Sequence, residues 1–295
     1  MHVVVGSGSV GSAVALELAG AGEQVKVVTR SGSGPEHPLV QRVAADAGDA
    51  AALGRIAEGA SVIYNCANPQ YFEWPTAWPP LHNAMLRAAE ANGAVLAITA
   101  PLYAYGHVDR PMTEDMPLAA QTVKGRVRAK MWQDALASGV RALEVRSSDW
   151  IAPKYSLIEM ALPAMRTGKT AWMPASLDVP HTYTYTGDAA NTLVTLARDP
   201  RSWGQAWHTP SVPPMTARQL LTRVAELAGL DAPSLKVYPK AAVYAAGLWD
   251  KFAKEFREVR YQHDRPFVMD SSRVTNEFGL TATPLDDSIR EALKA

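Results

Sequence analysis

Two stretches carry residue types at spacings that chemistry uses. In "VVVGSGSVGSAVALELAGAG", Gly6, Gly8 and Gly11 fall as G-x-G-x-x-G. Such glycines allow a tight turn, a close approach of backbone to a pyrophosphate, and close contact of helix with strand. The N–H groups of Ser7, Ser9 and Val10, together with the dipole of the helix they open, favour phosphate. The second stretch is "TVKGRVRAKMWQDAL", Thr122 to Leu136. Read as a helix, it places Lys124, Arg128, Met131 and Ala135 on one stripe, because steps of four and three return to the same side. Two cations therefore open a face that ends apolar. Either they are a solvated helix start entering the core, or they face a ligand.

The end of the second strand selects the nucleotide. An NAD site usually carries an acid there for the ribose hydroxyls. Here "VVTRSGSG" puts Arg30 at that place, 19 residues after Gly11. A guanidinium pairs with a 2′-phosphate, and no acid repels it, so NADP(H) is the expected cofactor. Asp46, in "VAADAGD", is expected either to accept a hydrogen bond from the adenine amino group or to cap a turn. Ala67, closing "SVIYNCA", completes the expected cofactor contacts.

These residues need elements to position them. Up to about residue 147, β-rich apolar runs such as "HVVVG", "VKVVT", "SVIYNCA" and "AVLAIT" alternate with helical patterns. That order predicts an α/β, Rossmann-like, doubly wound parallel sheet covered on both faces. Residues 1–150 are expected to form the NADP-binding domain. Residues 151–295, with short helices, short strands and many prolines, are expected to form a smaller mixed α/β substrate domain packed directly on it, with a segment around 181–200 returning to the first. The Pro-rich "WPTAWPP" reads as a turn ahead of a helix through "LHNAMLRAAEAN", and "AAVYAAGLW" as a packing helix too short to span a membrane.

Composition narrows the function classes. Lys plus Arg number 29 and Asp plus Glu number 29, so no overall field recruits nucleic acid or an anionic membrane. The single cysteine, Cys66, excludes an internal disulfide framework and a multi-thiolate metal centre. Met1 runs straight into a strand with no signal-peptide pattern, which points to a cytoplasmic protein. The seven histidines are scattered, without H-E-x-x-H spacing, so no metal site is expected. The absence of a G-x-S-x-G elbow argues against a hydrolase.

With "AITAPLYAYG", the Lys124 helix and "EVRSSDWIAP" in view, the chain resembles the short-chain dehydrogenase/reductase superfamily, most closely its extended and atypical members, the NAD-dependent epimerase/dehydratases. "YTYTGDAANTLVTLA" resembles the family's Y-x-x-D-x-A segment, and "DSSRVTNEFGLTATPLDDSIREAL" its C-terminal tail. The first glycine of the extended G-x-x-G-x-x-G is replaced by Val5. The resemblance implies a Ser or Thr that orients a substrate oxygen, a Tyr that acts as acid or base, and a Lys four residues beyond it that holds the nicotinamide ribose. Thr99 matches the first. Tyr103 falls on the aromatic of the following V-Y-G. Lys124 and Arg128 stand where Tyr and Lys are expected, and no tyrosine lies between Tyr105 and Tyr155. Arg128 stays charged at every relevant pH and clamps without shuttling protons, whereas Lys124 could move a proton if its pKa were depressed.

Three expectations follow for the stripe. Lys124 replaces the tyrosine as acid/base; or Tyr103 or Tyr105 supplies the acid while Lys124 and Arg128 clamp the cofactor; or catalysis is lost and the protein senses NADP. The expected activity is that of an NADP(H)-dependent oxidoreductase or epimerase/dehydratase acting on a small carbonyl or hydroxyl compound, with a redox-neutral dehydratase or cyclase as the alternative to sensing. The loops "NPQYFEWPTAWPP" and "RSSDWIAPKYS" should converge beyond the strand ends, bringing Tyr71, Trp74, Trp150, Tyr155 and His181 toward the substrate. The resemblance also implies a homodimer.

Overall fold

The computed structural model describes residues 1–294, with the backbone alone for Phe252; Ala295, the end of the expected second part, lies outside the described residues. Six strands, β1 (His2–Val5), β2 (Val25–Thr29), β3 (Val40–Ala44), β4 (Val62–Asn65), β5 (Val95–Pro101) and β6 (Ala142–Ser147), join the strand Ala206–His208 in one seven-stranded sheet. Its order is Ala206–His208, β6, β5, β4, β1, β2, β3, and every neighbouring pair is parallel. Strands covered on both faces need no polar side, which is why "HVVV" and "VIYN" are buried along their whole length.

Helices complete both layers. On one face α1 (Ser9–Gly20) packs beside the helix Thr186–Ala197, through Val14, Leu18, Leu193 and Trp207. On the other lie α2 (Ala50–Ile56), α3 (Trp74–Asn92) and α4 (Val123–Ala137), through Leu53, Trp78, Met85 and Trp132. A separate apolar cluster with Ile151, Ile158, Leu220 and Ile289 at its centre holds the smaller, mixed part of the chain. Strand order reverses between β1 and β4, so the loops after Val5 and Asn65 diverge there and leave a crevice at the strands' carboxyl ends.

Two elements differ from the sequence expectation. "WPTAWPP" is not a turn, since α3 already begins at Trp74 and carries Pro79 and Pro80 inside it. Both prolines are exposed, while Trp74 and Trp78, one turn apart, are buried. The carbonyls that the prolines leave without donors lie near the helix start on the solvent side, where water can satisfy them. The stretch "AAVYAAGLW" does not pack along its length either. Of the helix Lys240–Ala246 only Val243 is buried, and Leu248 and Trp249 beyond it are 72% and 82% exposed. Among the described residues no helix is long and apolar enough to cross a membrane.

Candidate active site

The glycine turn follows β1 as its spacing predicts, and each glycine there has its own steric reason. Gly6 adopts φ +98°, and a Cβ on it would sit 2.6 Å from the Cys66 carbonyl oxygen. A Cβ on Gly11 would run into the carbonyl oxygen of Gly6, so this glycine brings α1 against β1. Gly8 differs from both, for a Cβ there meets nothing within 4 Å. That open side faces a cavity of about 950 Å³ whose wall includes Gly6, Ser7, Gly8, Ser9 and Val10 but not Gly11.

The cavity runs from this turn across the carboxyl ends of the strands. Arg30 and Asp46 line it just beyond the ends of β2 and β3, together with Ala67. Arg30 is exposed and able to reach a ligand. The Asp46 Oδ1 accepts from the N–H of Gly48 at 2.9 Å, so the residue closes a turn while it faces the cavity. Further along lie Thr99, Tyr103 and Arg128, then Ser148, Asp149 and Trp150. Tyr71, Trp74 and Tyr155 also reach the wall, whereas His181 stands behind it. Tyr155 is 79% exposed and holds φ 58°, a left-handed conformation rare outside glycine, with its N–H donating to Glu159 Oε2 at 2.5 Å.

The stripe on α4 is buried from Lys124 through Arg128 and Met131 to Ala135, which excludes a solvated helix start. Its two cations part ways. Arg128 lies between Trp74 and Trp78, 4.8 and 4.2 Å from their rings, and donates to the Thr99 carbonyl at 3.3 Å. Its Nε has no hydrogen-bond partner. Burial lowers its pKa to about 10, so it remains a cation at neutral pH. Among the described residues no carboxylate forms an ion pair with it. A guanidinium in that position can clamp a ribose hydroxyl or an anionic group entering the cavity.

Lys124 requires a correction as a proton shuttle and as a cofactor contact. Its ammonium bonds Glu255, and Glu258 at 2.6 Å, while its backbone N–H donates to Glu258 Oε1 at 2.8 Å. Both acids come from the helix Lys251–Val259. Lys124 is 1% exposed and does not line the cavity, so its charge is spent on docking that helix. No local pattern signals this pairing, because the partners lie more than a hundred residues away.

The tyrosines also differ from a depressed-pKa acid. Tyr103 and Tyr71 share a 2.6 Å hydrogen bond between hydroxyls. Burial, and then the neighbouring Tyr71 and Asp149, hold the Tyr103 phenol well above its usual range. At neutral pH the pair is protonated, a state able to donate a hydrogen bond toward an oxygen that gains charge but not to serve as a base. Tyr105 is removed from the chemistry altogether. Its hydroxyl bonds His208 Nε2 at 2.7 Å and accepts from Arg146 Nη1 at 2.7 Å in a buried network that also pairs Arg146 with Glu144. Burial pushes the Cys66 thiol up to about 12, which leaves it inert beside Thr99.

Asp149 and His263 were not read from the sequence as site residues, yet both line the cavity. Burial alone would raise the Asp149 carboxyl, but His181 and His263 beside it hold it down at about 2. His263, desolvated by its surroundings, falls to about 4 and is neutral at physiological pH. The signal that could have found Asp149 is its place just beyond β6, at a strand end. His263 carries no local signal, since a short helix, Tyr261–Asp264, brings it in from far along the chain.

No family model matches the chain, and no curated protein matches it either. Solved structures do. UDP-glucose 4-epimerase from Thermotoga maritima, in a structure with UDP-glucose, superposes with a TM-score of 0.80 at 16% identity over 100% of this chain and 98% of that one. The enzyme WbmH from Bordetella bronchiseptica, in complex with NAD+, gives a TM-score of 0.77 at 17% identity over 99% and 97%. A double mutant of DesIV, a dTDP-glucose 4,6-dehydratase from Streptomyces venezuelae, with NAD and DAU bound, gives 0.78 at 17% over 100% and 96%. Full-length superposition at such low identity bears on architecture, and the chain shares one Rossmann-like α/β fold with these three enzymes.

Proposed function

We propose that the protein is an NADP(H)-dependent oxidoreductase or epimerase/dehydratase-type enzyme acting on a small carbonyl or hydroxyl compound. One observation carries this reading. A single cavity joins the open face of Gly8 and the exposed Arg30 to Thr99, the Tyr71–Tyr103 hydroxyl pair and Arg128. The glycine turn takes the pyrophosphate and Arg30 the 2′-phosphate, while Thr99 and the tyrosine pair hold the reacting oxygen. That three solved structures of the same fold hold NAD+ or a nucleotide sugar supports a dinucleotide here, and Arg30 favours its phosphorylated form.

Tryptophan quenching during titration with NADPH and with NADH tests the reading, because Trp74 and Trp150 line the cavity. NADPH is expected to bind at least about tenfold more tightly than NADH and to lose that advantage in Arg30→Ala, since a charge-assisted phosphate contact contributes roughly 1.5–3 kcal/mol. Failure of either nucleotide to bind would overturn the reading. A second reading, an NADP-binding sensor without turnover, is favoured by the Lys124 ion pairs, which leave no Tyr–Lys couple. It expects tight NADPH binding with no NADPH oxidation across a panel of aldehydes and ketones.

A further inference from the structure

We propose that Asp149, His181 and His263 form a binding site for a divalent first-row transition-metal ion at the substrate end of the cavity. The oxygen of Asp149 and one ring nitrogen from each histidine all lie within 4.8 Å of one another. The hydrogen bonding around His181 fixes which ring nitrogen faces the carboxylate. Its Nδ1 lies 3.2 Å from the carbonyl oxygen of Gln262, which only accepts, so Nδ1 carries the proton. That leaves Nε2 as the ring atom turned to Asp149 Oδ2, 3.2 Å away. The Ser148 hydroxyl, 3.4 Å from Nε2, is a long and weak donor to it. His263 Nε2 stands 3.7 Å from the same carboxylate oxygen. Three potential ligand atoms thus converge on one point, where a proton on Nε2 or a metal ion supplies the positive charge.

A metal supplies that charge with the ligand set present. Bonds of about 2.0–2.2 Å to imidazole nitrogen and carboxylate oxygen place adjacent ligands roughly 3–3.5 Å apart; the two contacts to Asp149 Oδ2, 3.2 and 3.7 Å, are near that spacing, and the rest of the trio, within 4.8 Å, has to close on it. Two of the three ligands sit on fixed backbone. Asp149 begins the strand Asp149–Ile151, paired in register with Tyr183, and His181 lies two residues before Tyr183 on the same face. The His181 N–H and carbonyl both bond Met215 at 3.0 Å. The Gln262 carbonyl holds the tautomer that a metal ligand requires. The rings of His181 and His263 are nearly parallel, at 10°, so binding must tilt one of them. His263, on a short helix and held by stacking, is the one that turns. Two imidazoles and one carboxylate leave coordination positions open, and Ser148, Asp149 and His263 direct them into the cavity. A carbonyl or hydroxyl oxygen of the substrate is the class of ligand they would take, and the ion would polarise it.

The inference rests on the trio and not on the nucleotide assignment, and its test needs no nucleotide and no turnover. Chelator-treated full-length protein is titrated with Co2+, with visible absorption and equilibrium dialysis as readouts and Zn2+ as competitor. One equivalent should bind with the spectrum of a nitrogen- and oxygen-ligated ion, and Zn2+ should displace it. Affinity should fall at least about tenfold in Asp149→Asn and in His263→Ala, and remain unchanged in His37→Ala, whose ring bonds the backbone of its own loop at Leu39. Circular dichroism verifies the fold of each variant, and should one not fold, the other decides. No uptake by the wild type, or equal uptake by the folded variants, would leave Asp149 and His181 as a plain ion pair and overturn the proposal.

Discussion

A Cβ added at Gly8 meets no atom within 4 Å, whereas one at Gly11 runs into the carbonyl of Gly6, and this difference separates ligand binding from folding at two neighbouring glycines. Gly8→Ala should fold with stability within about 0.5 kcal/mol of the wild type and bind NADPH at least about tenfold more weakly, because its methyl occupies the pyrophosphate approach. Gly11→Ala should lower stability by roughly 2 kcal/mol or more, since backbone must move. Thermal unfolding and nucleotide titration of both variants check this, and full NADPH affinity in Gly8→Ala would remove the pyrophosphate from that surface. Tyr103→Phe breaks the 2.6 Å bond to Tyr71 and should slow turnover while leaving NADPH affinity within about twofold. Equal turnover would take the hydroxyl pair out of the chemistry. The glycine turn after β1 and the place of Arg30 just after β2, on the cavity wall, were legible in the sequence because both positions are set by spacing along one strand–helix–strand unit. The grouping of His181 with Asp149 and His263 was not, because strand pairing and a short helix bring together residues with no shared period.

At the scale of elements, α4 and the helix Lys251–Val259 are held together by one ammonium between two carboxylates. The sequence showed α4 and its stripe correctly, yet it could not show which ligand the first cation meets, since residue spacing defines a face and not its partner. That is also why α3 reads as a turn from composition: "WPTAWPP" looks like a breaker until Trp74 and Trp78 are seen to anchor one buried face. The Lys124 arrangement predicts a stability effect in place of a catalytic one. In Lys124→Met, Glu255 and Glu258 face each other without a cation, and because both acids are partly exposed the loss should be about 2–4 kcal/mol. Hydrogen exchange should then rise selectively in 251–259. Adding Glu255→Gln and Glu258→Gln to that variant should recover much of the loss, as expected when the deficit is uncompensated charge. Unchanged exchange in 251–259 with lost turnover would instead return Lys124 to the catalytic role.

For the whole molecule, neutral histidines in the interior set the response to acid. His208 joins distant parts of the chain. Its Nδ1–H donates to the Asp270 carbonyl at 2.7 Å, its Nε2 accepts from Tyr105, and its backbone N–H donates to Glu114 at 3.0 Å. Burial drives its pKa down to about 3, and His82, also desolvated, falls to about 4. An unfolded histidine titrates near 6.5. Above that value neither state holds the proton, and the stabilisation is fully present. As pH falls toward the folded pKa the unfolded chain takes up a proton that the native state refuses, so stability is lost across the window from about 6.5 down to about 3 for His208 and about 4 for His82. Between about pH 7 and about pH 4.5 each group should remove on the order of 2 kcal/mol, and urea unfolding at the two pH values measures the sum. His208→Gln, which keeps a donor and an acceptor but no titrating nitrogen, should be less stable at neutral pH and should take up about one proton fewer on unfolding in acid. A pH slope equal to that of the wild type would mean that His208 is protonated in the native state, and the chain of bonds from Arg146 through Tyr105 to Asp270 would then have to run with its protons placed the other way.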